Sequence, residues 1–237
     1  MARTARGSVV LLSGGMDSAT CLALAARSAG PVDALTVSYG QRHGRELASA
    51  RTLARWFGVR RHETVRIPVG HLLDSSLTDA RRPIPHRAGP PRSGGAIPST
   101  YVPARNTLFL ALALGYAESV RAASIYLGAN ALDYSGYPDC RPEYFRAFRA
   151  LARVATRAGL EGRSPVLRTP LLRLTKAEIV TLGERLGVPW EKTWSCYLGG
   201  RRPCERCDAC RFRAKGFRIA GVEDPLLSRA VPRSRTG

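Results

Sequence analysis

A six-residue loop near the amino terminus has the composition of an anion-binding site. It reads Ser13-Gly-Gly-Met-Asp-Ser18 and follows the short apolar run 8–12. Backbone N–H groups at the start of a helix bind phosphate, and glycines let the backbone approach a phosphate without a Cβ clash. The two serines add hydroxyl donors, and Asp17 could hold Mg2+ or orient the first helical turn. The loop lacks the Gly-Lys-Ser/Thr ending of a Walker A motif, so another type of phosphate loop and an ordinary strand–turn–helix junction both remain open.

Four cysteines towards the carboxyl terminus have the spacing of a metal site. Two residues separate Cys204 from Cys207 and Cys207 from Cys210, and Cys196 lies eight residues upstream of the first. Four thiolates form the usual closed tetrahedral site for structural Zn2+. A redox-active thiol pair is the alternative. Four cysteines so close together, in a chain without an export signal, favour a metal site in a reducing cytoplasm.

A second candidate site lies between Asp133 and Arg141. This stretch contains two carboxylates, Asp133 and Asp139, and the aromatic side chain of Tyr137, on a turn rich in Gly and Pro. It follows a predicted strand over 123–127, and ligands of open α/β sheets bind beyond the carboxyl ends of strands. Carboxylates and aromatic rings can bind the edge and the face of a planar ring. A plain turn fits the same composition.

Apolar periodicity places these motifs on alternating strands and helices. Short apolar runs predict strands, and apolar residues at helical spacing predict helices. The alternation favours an α/β fold, with a parallel sheet flanked by helices. The predicted strands are 8–12, 32–39, 60–67, 123–127 and 166–170, and the predicted helices are 17–29, 43–57, 105–120, 143–158 and 175–186.

The periodic patterns lapse between residues 74 and 99. Residues 81–98 contain five prolines, and we expect no core residues there. A connection of this length is typical of a lid, a binding loop or a disordered segment, and the polar stretch that follows favours a mobile loop over the active site. We divide the chain into an α/β domain over 1–190, a four-cysteine zinc-binding region over 191–222 packed on it, and a tail over 223–237.

The charge of the chain is unusual for an otherwise ordinary globular composition. Its 237 residues include 37 Lys and Arg against 18 Asp and Glu, a net charge of +19. Such a field attracts polyanions and small anionic substrates alike, so charge does not choose between them. No apolar run is long enough for a membrane span, and polar loop residues interrupt the stretch that a signal peptide would need. We expect a cytoplasmic protein.

Taken in order, the motifs resemble one enzyme family. The six-residue loop is similar to the PP-loop of the ATP pyrophosphatase superfamily, and the later motifs resemble the 7-cyano-7-deazaguanine synthases within it. The resemblance spans about residues 8 to 220. The motifs that carry it are Ser13–Ser18, Gln41–His43, Pro98–Thr100, Arg105–Asn106, 135–140, Thr169–Leu171, Lys176–Glu178, and Thr193–Tyr197 with the last three cysteines.

The resemblance implies a ligase that forms C–N bonds, on a Rossmann-like fold of the adenine nucleotide alpha hydrolase type, with 1–190 as its PP-loop domain. It would convert 7-carboxy-7-deazaguanine and ammonia into 7-cyano-7-deazaguanine. The acid would be adenylated by ATP, and ammonia would displace AMP to give the amide. The amide oxygen would be adenylated in turn, and loss of AMP would leave the nitrile. The implied cofactors are ATP, Mg2+ and one structural Zn2+ per chain.

The resemblance also implies roles for single residues. Those assigned to ATP and its pyrophosphate are Leu12, Ser13, Gly14, Gly15, Met16, Asp17 and Ser18. Those assigned to catalysis are Asp17, Lys176 and Arg105, the last two binding phosphates or the charge that develops at the α-phosphorus. Those assigned to the deazaguanine ring are Asp133, Tyr137 and Asp139. Zinc would be bound by Cys196, Cys204, Cys207 and Cys210. Lys176 could instead only cover the start of its helix, and Arg105 could only pair with a carboxylate.

Two other functions remain open. A PP-loop enzyme that modifies tRNA, of the thiolase or lysidine synthetase type, fits the charge, but the sequence has neither an appended RNA-binding domain nor a cysteine pair apart from the four-cysteine group. A non-catalytic zinc-ribbon protein that binds nucleic acid leaves the phosphate loop without a role. We expect a homodimer that takes small-molecule substrates, with no membrane partner and no requirement for nucleic acid.

Overall fold

A five-stranded sheet forms the centre of the fold. The computed structural model of the protein describes residues 7–85, 97–131 and 137–228. The strands are β1 (Ser8–Leu11), β2 (Val32–Ser38), β3 (Arg61–Arg66), β4 (Ser124–Leu127) and β5 (Val166–Arg168). They pair in the order β3-β2-β1-β4-β5, and every pair is parallel. The predicted parallel sheet is confirmed.

Helices flank this sheet. The α-helices of the described residues are α1 (Met16–Ala26), α2 (Arg45–Trp56), α3 (Arg105–Ser119), α4 (Pro142–Val154), α5 (Arg157–Leu160), α6 (Lys176–Leu186), α7 (Asp208–Ala220) and α8 (Pro225–Ser228). Single 3-10 turns occur at Gly70–Leu72, Pro138–Cys140 and Trp190–Lys192. Within the described ranges, none of the helices has both the length and the apolar character needed to span a bilayer.

The central strand β1 determines where a ligand can bind. Leu11, its last residue, pairs with Leu35 of β2 on one side and with Leu127 of β4 on the other. The chain therefore builds the sheet outward from β1 in both directions. In open parallel sheets such a switch point opens a crevice beyond the carboxyl ends of the strands. The loop that follows β1 lies at this crevice.

Side-chain alternation along β1 contributes to two apolar layers. Val9 belongs to the layer that contains residues of α3 and α4, and Val10 belongs to the layer that contains residues of α1 and α6. Successive strand residues point to opposite faces of a sheet, which produces this division. Phe145 of α4 is fully buried in the first layer, and Phe217 of α7 is fully buried in the second. Both faces of the sheet are thus covered.

The helix predicted over 143–158 is two helices. α4 ends at Val154, and Thr156 has an extended backbone (φ −134°, ψ 152°) before α5 begins. The Thr156 hydroxyl accepts a hydrogen bond from the Gly159 N–H at 2.9 Å, as an N-cap residue does. The single-helix prediction was wrong because threonine competes for backbone hydrogen bonds and favours caps over helix interiors.

The cysteine-rich region contains a helix, α7, that the sequence pattern did not predict. It crosses α6 so closely that a Cβ on Gly216 would lie 2.7 Å from the Cβ of Lys176. Arg213, on the same helix, is buried and donates through Nε and Nη2 to the two carboxylate oxygens of Asp224 at 2.7 and 2.9 Å. Asp224, which the sequence analysis placed in the tail, therefore packs on the fold. Residues 229–237 lie outside the described part of the chain.

Both ends of the predicted mobile loop pack on the fold. Ile84 is 5% exposed and belongs to the first apolar layer, so the expectation of no core between 81 and 98 was wrong at this residue. The backbone N–H and the hydroxyl of Ser76 both donate to the carbonyl oxygen of Ser99, at 2.8 and 3.1 Å. These bonds tie the two ends together. Residues 86–96 lie outside the described ranges, and the mobility of the loop stays a prediction.

Arg42, from the sequence motif after β2, fixes the first end of that loop. Its guanidinium donates to the carbonyl oxygens of Ser76, Ala80 and Arg82 at 3.2, 2.9 and 3.1 Å. Because carbonyl oxygens of a non-regular segment otherwise lack partners, one guanidinium with several N–H donors can order the segment. The motif therefore has a structural task beside the cavity described below.

Candidate active site and metal centre

The loop after β1 folds around the hydroxyl of Ser18. The backbone N–H groups of Ser13 and Gly14 each donate to Ser18 Oγ at 3.2 Å, and this hydroxyl donates to the carbonyl oxygen of Gly15 at 3.0 Å. Gly15 precedes α1 and supplies no side-chain cap. The N–H groups at the start of α1 therefore face outward without a capping side chain. Such groups, with the positive end of the helix dipole, bind phosphate.

Gly14 cannot be replaced without distorting the loop. Its φ is +91°, a conformation that residues with a Cβ rarely adopt. A Cβ at this position would lie 2.3 Å from the carbonyl oxygen of Glu46 and 2.8 Å from the backbone nitrogen of Ala50. Glycine thus allows the first turns of α2 to pack directly against the loop.

The start of α6 supplies a buried cation to the same place. Lys176 is 6% exposed, and its Nζ lies 2.6 Å from Oδ2 of Asp17. Thr175 and Glu178 form a capping box at this helix end, which fixes the position of Lys176. Oδ1 of Asp17 is buried and has no hydrogen-bond partner among the residues that the structure describes. A buried carboxylate oxygen without a donor fits a divalent cation with oxygen ligands, such as Mg2+.

A cavity of about 210 Å³ opens beside the loop. It lies where the strand order places it, at the carboxyl ends of β1, β2 and β4. All residues from Leu12 to Ser18 line it except Gly14. The charged side chains in the described wall are Asp17, Glu46, Arg105 and Lys176. The structure thus brings all three predicted catalytic residues to one cavity.

Arg105 reaches the cavity from the first position of α3. Its Nη1 lies 3.5 Å from the hydroxyl of Tyr39, which also lines the cavity. The preceding residue, Ala104, has a positive φ of 52°, a conformation that persists only where the surroundings stabilise it. The next residue, Asn106, donates its backbone N–H to Oδ2 of Asp139 at 2.9 Å. Asp139 therefore helps to fix the helix start that carries Arg105.

The three predicted contacts with the substrate ring have different positions. Tyr137 lines the cavity, and its hydroxyl lies 2.7 Å from Thr100 Oγ1. Burial raises the pKa of Tyr137, so its hydroxyl stays protonated. Asp139 is buried below the cavity wall formed by the described residues, where it accepts the bond from Asn106. Asp133 lies outside the described residues.

Sequence reasoning missed Glu46, which lines the cavity from the first turn of α2. Burial raises the pKa of Glu46 to about 7, while the positive charge of Arg105 opposes that rise. The available signal was the position of Glu46 three residues after His43, at the end of the polar Gln41–His43 motif. An acidic residue in the first turn of a helix is common for the helix dipole alone, so the sequence did not distinguish it.

Cys140 also lines the cavity, and its thiol is protonated. Burial raises the pKa of Cys140 to about 11, and the neighbouring Asp139 carboxylate adds to the effect. The side-chain amide of Asn106 donates to its sulfur at 3.4 Å. A nucleophilic cysteine needs a lowered pKa. The environment of Cys140 therefore opposes covalent catalysis.

The four predicted zinc ligands meet in one cluster. Their sulfur atoms all lie within 4.8 Å of one another. Backbone N–H groups of Leu198 and Cys204 donate to Cys196 Sγ at 3.4 and 3.3 Å. Hydrogen bonds from the thiols of Cys207 and Cys210 lower the pKa of Cys196, and these backbone donors lower it further. Four convergent sulfurs with N–H donors fit a tetrahedral Zn2+ site.

The cysteine cluster is joined to the phosphate loop by a short piece of backbone. The N–H of Trp194 donates to the carbonyl oxygen of Gly14 at 2.9 Å, and its indole N–H donates to the carbonyl oxygen of Cys196, also at 2.9 Å. Trp194 is 3% exposed and lines the cavity. One residue thus contacts both the phosphate loop and a member of the cysteine cluster.

The family model and the curated proteins that match this sequence name one enzyme family. The family model described as "Queuosine biosynthesis protein QueC" matches residues 7–221. The chain is 54% identical over 222 residues to the 7-cyano-7-deazaguanine synthase of Anaeromyxobacter dehalogenans (strain 2CP-C). The aligned residues make up 93% of this chain and 95% of that relative. It is 53% identical over 226 residues to the same enzyme of Anaeromyxobacter sp. (strain Fw109-5), with 95% and 97% covered. Among solved structures, NMN synthetase from Francisella tularensis matches with 18% identity and a TM-score of 0.46, covering 95% of this chain and 82% of that one.

Proposed function

Because the chain belongs to the QueC family and has 7-cyano-7-deazaguanine synthase activity, we propose that the cavity beside the phosphate loop carries out both ATP-dependent steps. The observation that carries this proposal is the convergence of the loop, the Lys176–Asp17 pair and Arg105 on one cavity. A phosphate site and a cation for a carboxylate are the two elements that adenylation of an acid requires.

The oxygen of the substrate carboxylate must first become a leaving group. Ammonia cannot displace an oxide ion from a carboxylate, so the carboxylate oxygen attacks the α-phosphorus of ATP and pyrophosphate departs. Ammonia then adds to the acyl carbon, a proton is lost, and AMP leaves with the former carboxylate oxygen to give the amide. In the second round the amide oxygen attacks the α-phosphorus of a second ATP, and a second pyrophosphate departs. Loss of AMP and of the remaining N–H protons leaves the nitrile.

We propose that the loop and α6 hold the leaving pyrophosphate. The uncapped N–H groups at the start of α1 and the hydroxyl of Ser13 would bind phosphate oxygens, and the buried ammonium of Lys176 would stabilise the charge that develops on them. Asp17, through its unpartnered Oδ1, would hold Mg2+, which neutralises phosphate charge when bound. Leu11 at the end of β1 and Leu35 of β2 also line the cavity, and their apolar side chains would pack against a flat base.

We propose that Arg105 binds the carboxylate of the substrate and that Tyr137 packs on its ring. Arg105 presents a fixed fork of N–H donors that matches a carboxylate. Asp133 stays a candidate for the ring edge. Asp139 would act through Asn106 by holding the start of α3, and it would not touch the substrate. Positioning and charge stabilisation then supply most of the catalysis.

We propose that the four thiols hold one zinc ion with a structural role. A closed four-sulfur site has no open position for substrate. Zinc would fix the segment that carries Trp194 and, through it, the carbonyl oxygen of Gly14 in the phosphate loop.

A single reaction mixture tests the proposed chemistry. The protein is combined with ATP, Mg2+, ammonium and 7-carboxy-7-deazaguanine, and the products are identified by mass spectrometry. We expect the nitrile, with one AMP and one pyrophosphate for each of the two adenylations. Release of ADP and phosphate in place of AMP and pyrophosphate would contradict the proposed attack at the α-phosphorus. The homodimer expected from the sequence is tested separately, by sedimentation of the same preparation.

A further inference from the structure

Glu46 is the one carboxylate of the described cavity wall that has no ionic partner. The wall contains two carboxylates, and the other, Asp17, is paired with Lys176. Within the described ranges, no hydrogen-bond donor or cation lies within bonding distance of the Glu46 carboxyl group. Arg105 influences it only through the longer-range Coulomb attraction that opposes the rise of its pKa.

The packing of α2 fixes the position of Glu46 in the cavity wall. The residue is on the first turn of α2, whose backbone is packed against Gly14 of the phosphate loop. The start of this helix is thereby fixed beside the phosphate loop. Burial in the cavity wall raises the pKa of Glu46 to about 7, and hydrogen-bond donors on a ligand would stabilise its charged form.

The two oxygens of the Glu46 carboxylate favour one type of base over the other. A carboxylate presents two acceptor oxygens in one plane. The pyrimidine edge of a guanine-type ring carries two adjacent donors, the ring N1–H and the exocyclic 2-amino group, which match those oxygens. The corresponding edge of adenine places an amino donor beside a ring nitrogen that is an acceptor, and a carboxylate repels such a lone pair. ATP is therefore the poorer fit.

We propose that Glu46 binds the N1–H and 2-amino edge of the 7-deazaguanine ring and so determines which base the enzyme accepts. Arg105 lines the same cavity and would take the carboxylate at the other end of the substrate. A ligand with donors at one end and an anionic group at the other thus meets an acceptor and a cation. This assignment rests on the established synthase activity and adds a specificity-determining residue to it.

The test compares two substrates with two variants. The substrates are 7-carboxy-7-deazaguanine and its analogue without the 2-amino group, and the variants are Glu46→Gln and the control Glu63→Gln, which changes an exposed carboxylate on β3. Removal of the amino group should lower kcat/KM of the wild-type enzyme by about 100-fold. In Glu46→Gln the same removal should cost less than about threefold, because the amide has one acceptor, which the ring N1–H can use, and its NH2 group would face the 2-amino group donor to donor. The control variant should retain the wild-type penalty.

Each other result overturns the proposal. An unchanged amino-group penalty in Glu46→Gln would show that the side chain does not bind this edge. A raised KM for ammonium alone, or for ATP alone, would assign Glu46 to those ligands. If turnover of Glu46→Gln is too slow to measure, calorimetric binding of the two acids without ATP gives the same comparison, and equal discrimination by variant and wild type would again refute it. Nitrile formation by the wild type in the same assay separates these results from a failure of the synthase activity itself.

Discussion

Lys176 and Asp17 form a partly buried ion pair beside the phosphate loop, and neither charge is stable there alone. The lysine is 7% and the aspartate 17% exposed at the side chain. Burial of one charge without the other costs several kcal/mol, so the pair maintains both charges until ligands arrive. Phosphate then offers the lysine a second anion, and a divalent cation offers the aspartate a second cation. The same two residues thus keep each other charged and would each bind part of the nucleotide complex.

Replacing Asp17 by Asn should stop the chemistry at a cost in stability, because Lys176 keeps a hydrogen-bond acceptor but loses its counter-charge. The amide keeps the size of the side chain and an acceptor for Lys176, but it removes the charge that would hold Mg2+. We expect AMP formation to fall by about 100-fold or more, measured by chromatography of reaction mixtures. Glu143→Gln removes an exposed charge on α4 (68% exposed at the side chain) and should leave the rate unchanged. Wild-type AMP formation by Asp17→Asn would refute the role of the loop.

Replacing Cys140 by Ala should leave the rate of nitrile formation within about threefold of wild type. The thiol, whose pKa is raised to about 11, is protonated at neutral pH and is not required as a nucleophile in the adenylation scheme. Steady-state nitrile production, with a melting curve to allow for the lost packing, measures this. A loss of activity by a thousandfold in a folded variant would indicate a covalent intermediate on sulfur.

At the scale of elements, the site depends on how closely helices approach one another. α7 touches α6 at Gly216, directly over the backbone and Cβ of Lys176. The capping box at Thr175 fixes the same helix end from the other side. α6 therefore presents Lys176 to the phosphate loop only while α7, which carries Cys210 of the four-cysteine cluster, stays in contact with it.

A Cβ at position 216 should consequently displace Lys176 and lower activity, although residue 216 is not part of the cavity wall. In Gly216→Ala the added atom meets backbone and Cβ atoms of Lys176 at 2.7 to 3.1 Å, so the helices must separate. We expect the free energy of unfolding to fall by about 1–3 kcal/mol and kcat to fall with it. Gly115→Ala, in α3 where a Cβ has no neighbour within 4 Å, should raise stability by about 0.5–1 kcal/mol.

Urea unfolding and steady-state kinetics of the two glycine variants measure this difference. Equal stability changes in both variants would show that helix propensity, and not the contact between α6 and α7, governs position 216.

The sequence predicted a helix or strand well where its apolar residues kept a regular spacing. It predicted poorly where a polar residue or a glycine is part of the buried face. The strands and α1, α2, α3 and α6 follow from apolar spacing. α7 could not be predicted in this way, because its buried face includes Arg213 and Gly216. Arg213 is buried because it pairs with Asp224, a contact that exists only in the folded chain. The position of Glu46 was missed for a related reason, since only the packing of α2 on Gly14 turns a polar helix start towards a cavity.

At the scale of the whole molecule, the net charge of +19 is not concentrated in the active site. The described cavity wall holds two cations, Arg105 and Lys176, and two carboxylates, Asp17 and Glu46. Other arginines are structural, among them the buried Arg213 and the loop-ordering Arg42. The synthase activity of the family also decides against the tRNA-modifying and zinc-ribbon alternatives. Within the described residues, most of the positive charge therefore lies outside the cavity wall.

Removal of the metal should impair the whole molecule and not only its carboxyl-terminal part. We expect about one zinc per chain by elemental analysis. Chelation should lower the melting temperature and weaken ATP binding together, because Trp194 links the cysteine segment to Gly14. Thermal unfolding and nucleotide titration before and after chelation check both effects. Full ATP affinity and an unchanged melting temperature in a zinc-free preparation would contradict the coupling.

The single phosphate loop at the end of β1, the only such loop in the described residues, imposes an order on events. In the proposed scheme two molecules of ATP are consumed in succession, so AMP and pyrophosphate must leave and fresh nucleotide must enter between the rounds. Throughout that exchange the half-finished amide must remain behind. The yield of nitrile is therefore a competition between the residence time of the amide and the time needed to reload the enzyme, and scarce ATP would favour escape of the amide.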